Sequence, residues 1–260
     1  MLGLSIILYS LGRSRMSNVQ RRAVAPAWRV ACYCGAVGIL VLALFSPLDA
    51  LADEKFAWHM AQHLLLMLLA APLLALANTH LVSLFALPLS LRRVVGRYVS
   101  GAPGMRQAGT HRFSPLIAAV IFAAGLWLWH APRMYDGALA NPGIHTFEHL
   151  TFLVTSAVFW RMVSNAGDRR LDLGSAILLT VLVGLQANLL ALLLVLAPSP
   201  IYSAYAANDL HDQQIGGLLM LGPASLIFLG ASVRAIFRFV QAGPTANRAP
   251  EGFRKTLRDT

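Results

Sequence analysis

Long apolar runs separated by short polar segments are the feature that most restricts how this chain can fold. Among them are Val30 to Phe45, Phe56 to Ala77, Ser175 to Leu196 and Ile215 to Phe239. A helix of about 20 apolar residues crosses the hydrocarbon core of a bilayer. With 57% hydrophobic and only 12% charged residues, the chain has too few charges to cover a soluble globule of 260 residues. The pattern predicts an all-α, polytopic membrane helix bundle.

The same pattern predicts about seven transmembrane helices. Pro115 to His130 and Ile144 to Met162 add two spans, and residues 1–12 give a first helix that is short or truncated. The segment 79–112 contains Pro88 and several arginines, so we expect an interfacial or re-entrant cytoplasmic loop there. Residues 1–241 are predicted to form a single transmembrane domain, and residues 242–260 a polar, basic cytoplasmic tail.

Charge alternates between the loops and predicts the orientation of the bundle. Arginines precede the second and fourth predicted helices, whereas the connection at 46–55 is acidic. Short basic loops stay in the cytoplasm, which places the N-terminus outside and the C-terminus in the cytoplasm. The net charge of +10 is therefore explained by topology. We expect membrane lipid, and no nucleic acid, as the partner of these basic residues.

Two histidine pairs mark the starts of two apolar runs. His59 and His63 are four residues apart, as are His145 and His149, so each pair lies on one face of a helix. His130 falls at the same external side of the predicted bundle. The inner histidine of each pair should lie roughly 8 to 10 Å below the start of its helix, where an ionisable group is costly without a partner. An intramembrane polar site that faces the outside is predicted.

Imidazole is a common ligand of copper, zinc, iron and haem, so this site is a candidate metal centre. The candidate ligands are His59, His63, His130, His145, His149 and Asp212. Gln62, Glu148 and Gln213 are placed to orient the ring nitrogens or to ligate directly. Thioether sulfur from Met60, Met134 and Met220 would favour Cu(I).

Several alternatives to a metal ion remain open. The histidines could be axial ligands of haem in a redox protein or a quinone-linked electron carrier, or they could form a purely structural hydrogen-bond network. A proton-relay transporter is disfavoured, because the inner halves of the helices carry few ionisable residues beyond Arg234. No phosphate-binding loop, nucleophile elbow or catalytic carboxylate pair is present, so we do not expect an enzyme.

Two further patterns concern packing. Glycines in the last run should allow close helix contact; they are Gly216, Gly217 and Gly222. Aromatic residues near the external ends should form a belt at the membrane interface; they are Trp58, Trp127, Trp129, Tyr135 and Tyr202.

Several separated motifs together resemble a known family. They are H-M-A-Q-H at 59–63, L-W-L-W-H-A-P-R-M-Y-D-G-A-L at 126–139, H-T-F-E-H at 145–149 followed by F-W at 159–160, P-S-P-I-Y at 198–202 and D-Q-Q-I-G-G-L-L-M at 212–220. In this order they resemble the CtaG-type cytochrome c oxidase assembly proteins. The resemblance covers nearly all of the chain beyond residue 25.

The resemblance implies a seven-helix protein of the bacterial inner membrane that is needed to mature a haem-copper oxidase. It further implies a role in copper supply, with oxidase subunits or a periplasmic copper chaperone as partners. The residues that match the family pattern are His59, His63, His145, His149, Asp212 and Gln213. Copper is accordingly the expected metal, with haem as the alternative.

Overall fold

Helices make up nearly all of the described chain. The structure, a computed structural model, describes residues 2–100, 110–164, 173–205, 207 and 209–242, and no strand occurs among them. Helices suit a membrane because each one satisfies its backbone hydrogen bonds internally, where lipid offers no partner. Residues 101–109 of the predicted loop and 243–260 of the predicted tail lie outside the described residues.

The helices follow one another with short connections. In chain order they are α1 (Leu2–Ser14), α2 (Asn18–Val24), α3 (Ala27–Phe45), α4 (Pro47–Glu54), α5 (Phe56–Leu64), a π-helical segment (Leu65–Ala70), α6 (Ala71–Leu76), α7 (Thr79–Leu84), α8 (Leu89–Ser100), α9 (Thr110–Trp129), α10 (Pro132–Ala140), α11 (Pro142–Ser164), α12 (Leu173–Leu196), a 3-10 turn (Ser203–Tyr205) and α13 (Leu210–Ala242). The all-α prediction is confirmed.

The chain is a multi-pass membrane protein, but the predicted number of seven spans is wrong. Among the described residues, four helical stretches are long and apolar enough to cross a membrane: Ala27–Phe45, Phe56–Leu76, Leu173–Leu196 and Leu210–Gln241. Pro115–Trp129 and Pro132–Ala140 make a fifth only if this pair, bent by 74°, is one span. The prediction also counted α1, which has 13 residues, and α11, whose histidines, glutamate and arginine make it too polar.

The stretch Phe56–Leu76 is the central one. In its most apolar window 56% of the residues are buried, against 22% to 33% in the other three candidate spans. Its first part, α5, packs against α13, and its last part, α6, packs against α11. The first histidine pair is therefore on the helix with the least contact with lipid.

The π-helical segment in this stretch leaves one backbone carbonyl, that of Met67, without a π-type partner. Pro72 has no backbone N–H, so the π-type bond that would end at the carbonyl of Met67 cannot form. The indole Nε1 of Trp160 on α11 donates to this carbonyl instead, at 2.9 Å. A side chain of a neighbouring helix thus completes the backbone hydrogen bonding of α5 and α6.

Two glycines allow α13 to approach its neighbours. A Cβ at Gly216 would lie 2.5 Å from Cδ1 of Phe56, and one at Gly217 would lie 2.7 Å from Cγ2 of Val195. The predicted close contacts are therefore confirmed at these positions. At Gly222 nothing lies within 4 Å of the added atom, so the prediction is wrong there.

We expect Gly216→Ala to lower the free energy of unfolding by about 1–3 kcal/mol, because the new methyl group collides with a packed aromatic ring. Phe56 is 1% exposed and its ring packs against those of Tyr135 and Tyr202, so it can move away from the new methyl group only by disturbing these contacts. Thermal unfolding of the purified protein in detergent measures the change. Gly222→Ala is the matched control and should unfold at the wild-type temperature or above; equal loss in both variants would contradict the packing argument.

Candidate metal centre

Four histidines from two helices meet at one point. His59 and His63 project from α5, and their ring centroids are 4.3 Å apart. His145 and His149 project from α11 with centroids 4.2 Å apart. Across the helices the centroid distance is 5.0 Å between His59 and His145 and 5.1 Å between His63 and His149. The rings form a closed four-membered arrangement, which we call the histidine cluster.

The two rings of α5 are fully buried, and five ring nitrogens of the cluster have no hydrogen-bond partner within the described part of the chain. His59 and His63 are 0% and 1% exposed. No hydrogen bond reaches Nε2 of His59, His145 or His149, or either ring nitrogen of His63. An unsatisfied polar group costs several kcal/mol in an apolar interior. Each neutral ring offers one nitrogen lone pair that a metal ion can use.

The distances between the nitrogens are compatible with one bound ion. One ligand atom from each of the four residues can be chosen so that all lie within 4.8 Å of one another. In a tetrahedral site with metal–nitrogen bonds of about 2.0–2.1 Å, the nitrogens are about 3.3 Å apart. Small side-chain rotations close this difference. The structure brings together four of the six predicted ligands.

His130 is a neighbour of the cluster, at the bend between α9 and α10. Its ring centroid is 6.2 Å from that of His63. Its Nδ1 is bonded to the carbonyl oxygen of Leu126 at 2.8 Å, and its Nε2 is buried with no partner. One ring nitrogen thus remains for a ligand, while the other is held by the backbone.

Glu148 and Gln62, predicted to orient the rings, also lie in this region. Oε1 of Glu148 is 3.8 Å from Nε2 of His63, too far for a hydrogen bond. Gln62 donates through Nε2 to the carbonyl of Ala43 at 2.8 Å and to Oδ1 of Asp49 at 2.7 Å. Gln62 therefore fixes α5 to α3 and α4, which holds the histidine pair in place.

Asp212 of α13 was predicted as a ligand. Its side chain contacts the start of α5, and it is not one of the four residues of the histidine cluster. Its two carboxylate oxygens accept from the backbone N–H of Phe56 at 2.8 Å and of Ala57 at 3.2 Å. The N-cap residue Lys55 makes no side-chain capping bond, so a residue of α13 supplies the cap. The negative charge also suits the positive end of the helix dipole.

Gln213 links the loop before α13 to the end of α12. Its Oε1 accepts from the N–H of Ile201 at 2.7 Å, and its Nε2 donates to the carbonyl of Leu194 at 3.0 Å. Both polar atoms of its side chain are thus used in bonds to the backbone.

Sequence reasoning missed the tyrosines that enclose the cluster. The Tyr205 hydroxyl lies 3.3 Å from Nδ1 of His59, and the Tyr202 hydroxyl donates to the carbonyl of His130 at 3.0 Å. Tyr135 is buried, with its ring 5.3 Å from that of His59. Tyr135 and Tyr202 were predicted in the interfacial belt. The signal for burial was their place beside the histidine motifs, on connections that fold over the cluster.

The methionines do not strengthen the choice of metal. Met60 and Met220 belong to the apolar core, together with Phe56. Met134 is 38% exposed. The case for an ion therefore depends on nitrogen donors.

The fold and the site define a polytopic helical membrane protein with a buried histidine cluster at one end of the bundle. The model of the family described as cytochrome c oxidase caa3 assembly factor matches residues 7–242, and the chain belongs to this family. It is therefore a cytochrome c oxidase assembly factor, as the resemblance of its motifs implied. Comparison with curated proteins and with solved structures gave no significant match.

Replacement of Asp212 distinguishes a helix cap from a metal ligand. We expect Asp212→Ala to lower the free energy of unfolding by about 1 kcal/mol, since two N–H groups at the start of α5 lose their acceptor. Asp212→Asn keeps an acceptor oxygen and should unfold close to the wild-type temperature with its metal content unchanged. Thermal unfolding and elemental analysis are the measurements. Loss of metal from the stable Asn variant would make Asp212 a ligand.

Proposed function

We propose that the histidine cluster holds a copper ion on the outer side of the bacterial inner membrane. This ion is cargo for the assembly of a haem-copper oxidase. The observation that carries the proposal is the convergence of buried ring nitrogens that have no hydrogen-bond partner. The family supports the oxidase as destination, because its members are described as assembly factors of a copper-containing enzyme. No catalytic step is required of the protein.

The donor set favours copper among the possible metals. Four neutral imidazoles suit copper, zinc and iron, whereas the harder magnesium and calcium ions prefer oxygen. For a given nitrogen site copper generally has the highest affinity of the divalent first-row metals. Transfer to the next protein requires that the ion be exchanged between ligands. A site without thiolates suits such an exchange, because its hold on the ion is weaker.

The arrangement supports an ion over a haem. A haem with two axial histidines needs the macrocycle to pass between the two rings. Here every ring of the cluster touches two others, with centroids 4.2–5.1 Å apart around the circuit. A macrocycle inserted between the histidines of α5 and those of α11 would have to separate rings that are now in contact. An optical spectrum of the purified protein tests this, and a Soret band would favour the haem alternative.

The orientation is inferred from charges at the opposite end of the bundle. Arg161 lies in the last turn of α11, and Arg238 near the end of α13 donates to the carbonyl of Ser164 at 3.2 Å. Basic residues mark the cytoplasmic side, so the histidine cluster faces the periplasm. Partners on that side are oxidase subunits or a copper chaperone, and the connections at 131–143 and 197–212 are the surface nearest to the site.

The combined variant His63→Ala and His149→Ala should abolish stoichiometric copper in the purified protein, since it removes one donor from each helix. Elemental analysis of protein purified with and without added copper measures this. Oxidase activity in cells that carry the variant should fall as well.

The matched control removes two histidines outside the cluster, His80 and His211. His80 contacts Arg161, and His211 is exposed at the start of α13. The variant His80→Ala with His211→Ala should keep its copper. Retention of stoichiometric metal by the cluster variant, or equal loss in both, would reject the proposed site.

A further inference from the structure

A large cavity adjoins one side of the histidine cluster. Its volume is about 1100 Å³, and its lining includes Asp49, Asp53 and Asp136 together with His145 and His149. His59 and His63 are not among the lining residues. The histidines of α11 thus form a wall shared by the cavity and the cluster, and the histidines of α5 lie behind it.

The environment of His149 indicates that a ligand of this cavity would be a cation. It is 9% exposed, and its Nε2 has no hydrogen-bond partner. The same nitrogen type on His145 is also buried without a partner. The cavity is therefore bordered by two imidazoles whose Nε2 atoms are buried and unpartnered among the described residues.

Two carboxylates on α4 face these imidazoles across the cavity. Asp49 and Asp53 are four residues apart and share one face of the helix. Both are exposed, and both are close enough to His145 to act on it electrostatically. A carboxylate pair and an imidazole pair, each spaced by one helical turn, thus border the same space.

Asp136, the third acidic residue of the cavity, has a structural role. It accepts from the N–H and the hydroxyl of Ser203, at 3.2 Å and 2.7 Å, and from the N–H of Ala204 at 3.1 Å. These bonds attach the 3-10 turn to α10. On α4, Oδ1 of Asp49 accepts from Nε2 of Gln62 at 2.7 Å, an acceptor oxygen that Asn would keep. Oδ2 of Asp49 and the carboxylate of Asp53 therefore remain for a ligand.

We propose that Asp49 and Asp53 form an outer cation-loading site, from which a metal ion passes to the histidine cluster and meets His145 and His149 first. This inference rests on the proposed function of the cluster. Carboxylates attract and weakly hold a hydrated cation, while imidazoles bind copper more tightly, so the exchange of carboxylate for imidazole ligands is favourable. The ion keeps its charge throughout, because only coordination bonds are exchanged.

The rate of metal loading tests the proposal on the full chain in neutral detergent. Aqueous Cu²⁺ is mixed with the apo-protein in a stopped-flow instrument, and quenching of tryptophan fluorescence follows binding. In the variant Asp49→Asn with Asp53→Asn, we expect the association rate to fall about tenfold or more at low salt. The salt dependence of the rate should also decrease, and the final copper stoichiometry should stay at the wild-type value.

The matched control also removes two negative charges, but from residues that do not line the cavity. Glu54 is the neighbour of Asp53 on α4 and Asp209 lies before α13, and neither lines the cavity. The variant Glu54→Gln with Asp209→Asn should load at nearly the wild-type rate.

Three results would overturn the inference while leaving the proposed function intact. They are an unchanged rate in the Asp49 and Asp53 variant, an equal decrease in the control, and loss of the final stoichiometry, which would make the carboxylates permanent ligands. Failure of the wild-type protein to take up copper would overturn both the inference and the proposed function.

Discussion

The cost of leaving imidazole nitrogens without partners inside an apolar bundle is the constraint on which the other features of the site depend. Four imidazole rings are brought together, and five of their buried nitrogens have no hydrogen-bond partner among the described residues. The favourable packing of a long apolar helix such as Phe56–Leu76 can offset this free-energy cost. Packing does not explain why the histidines are there. A bound ion does give a reason, because it converts unsatisfied lone pairs into coordination bonds. The unpaired nitrogens lower the stability of the apo-protein, and a bound ion removes this cost.

Three polar side chains around the cluster hold α5 and the bend at His130 in place. Asp212 caps α5 from α13, Gln62 joins α5 to α3 and α4, and the Tyr202 hydroxyl fixes the bend at His130. Each bond connects elements that are distant in sequence. Ligand positions are thereby set by the whole bundle, which is what a site needs if the ion itself is to be released.

A structural feature could be predicted from the sequence where the residues that determine it lie within one short segment. The pairs His59 and His63, and His145 and His149, were predicted because a spacing of four defines one face of a single helix. Burial of Tyr202 was not predicted, since it depends on where a loop folds over other helices. The same applies to Asp212, because a cap donated by one helix to the start of another leaves no pattern in either segment. The number of spans was overestimated because α11 owes its polar residues to the site, which makes it unlike an ordinary membrane helix.

The π-helical segment Leu65–Ala70 rotates one half of the central helix about its axis relative to the other half. One residue in an α-helix corresponds to a turn of about 100°, so an extra residue in this segment offsets the face shown by α5 from that shown by α6. The outer half can then be aimed at the histidines of α11, while the inner half follows the demands of close packing against the same helix. The indole of Trp160 stabilises this offset from outside. The central helix thus consists of two parts, α5 and α6, whose contact faces are offset by a fixed rotation about the helix axis.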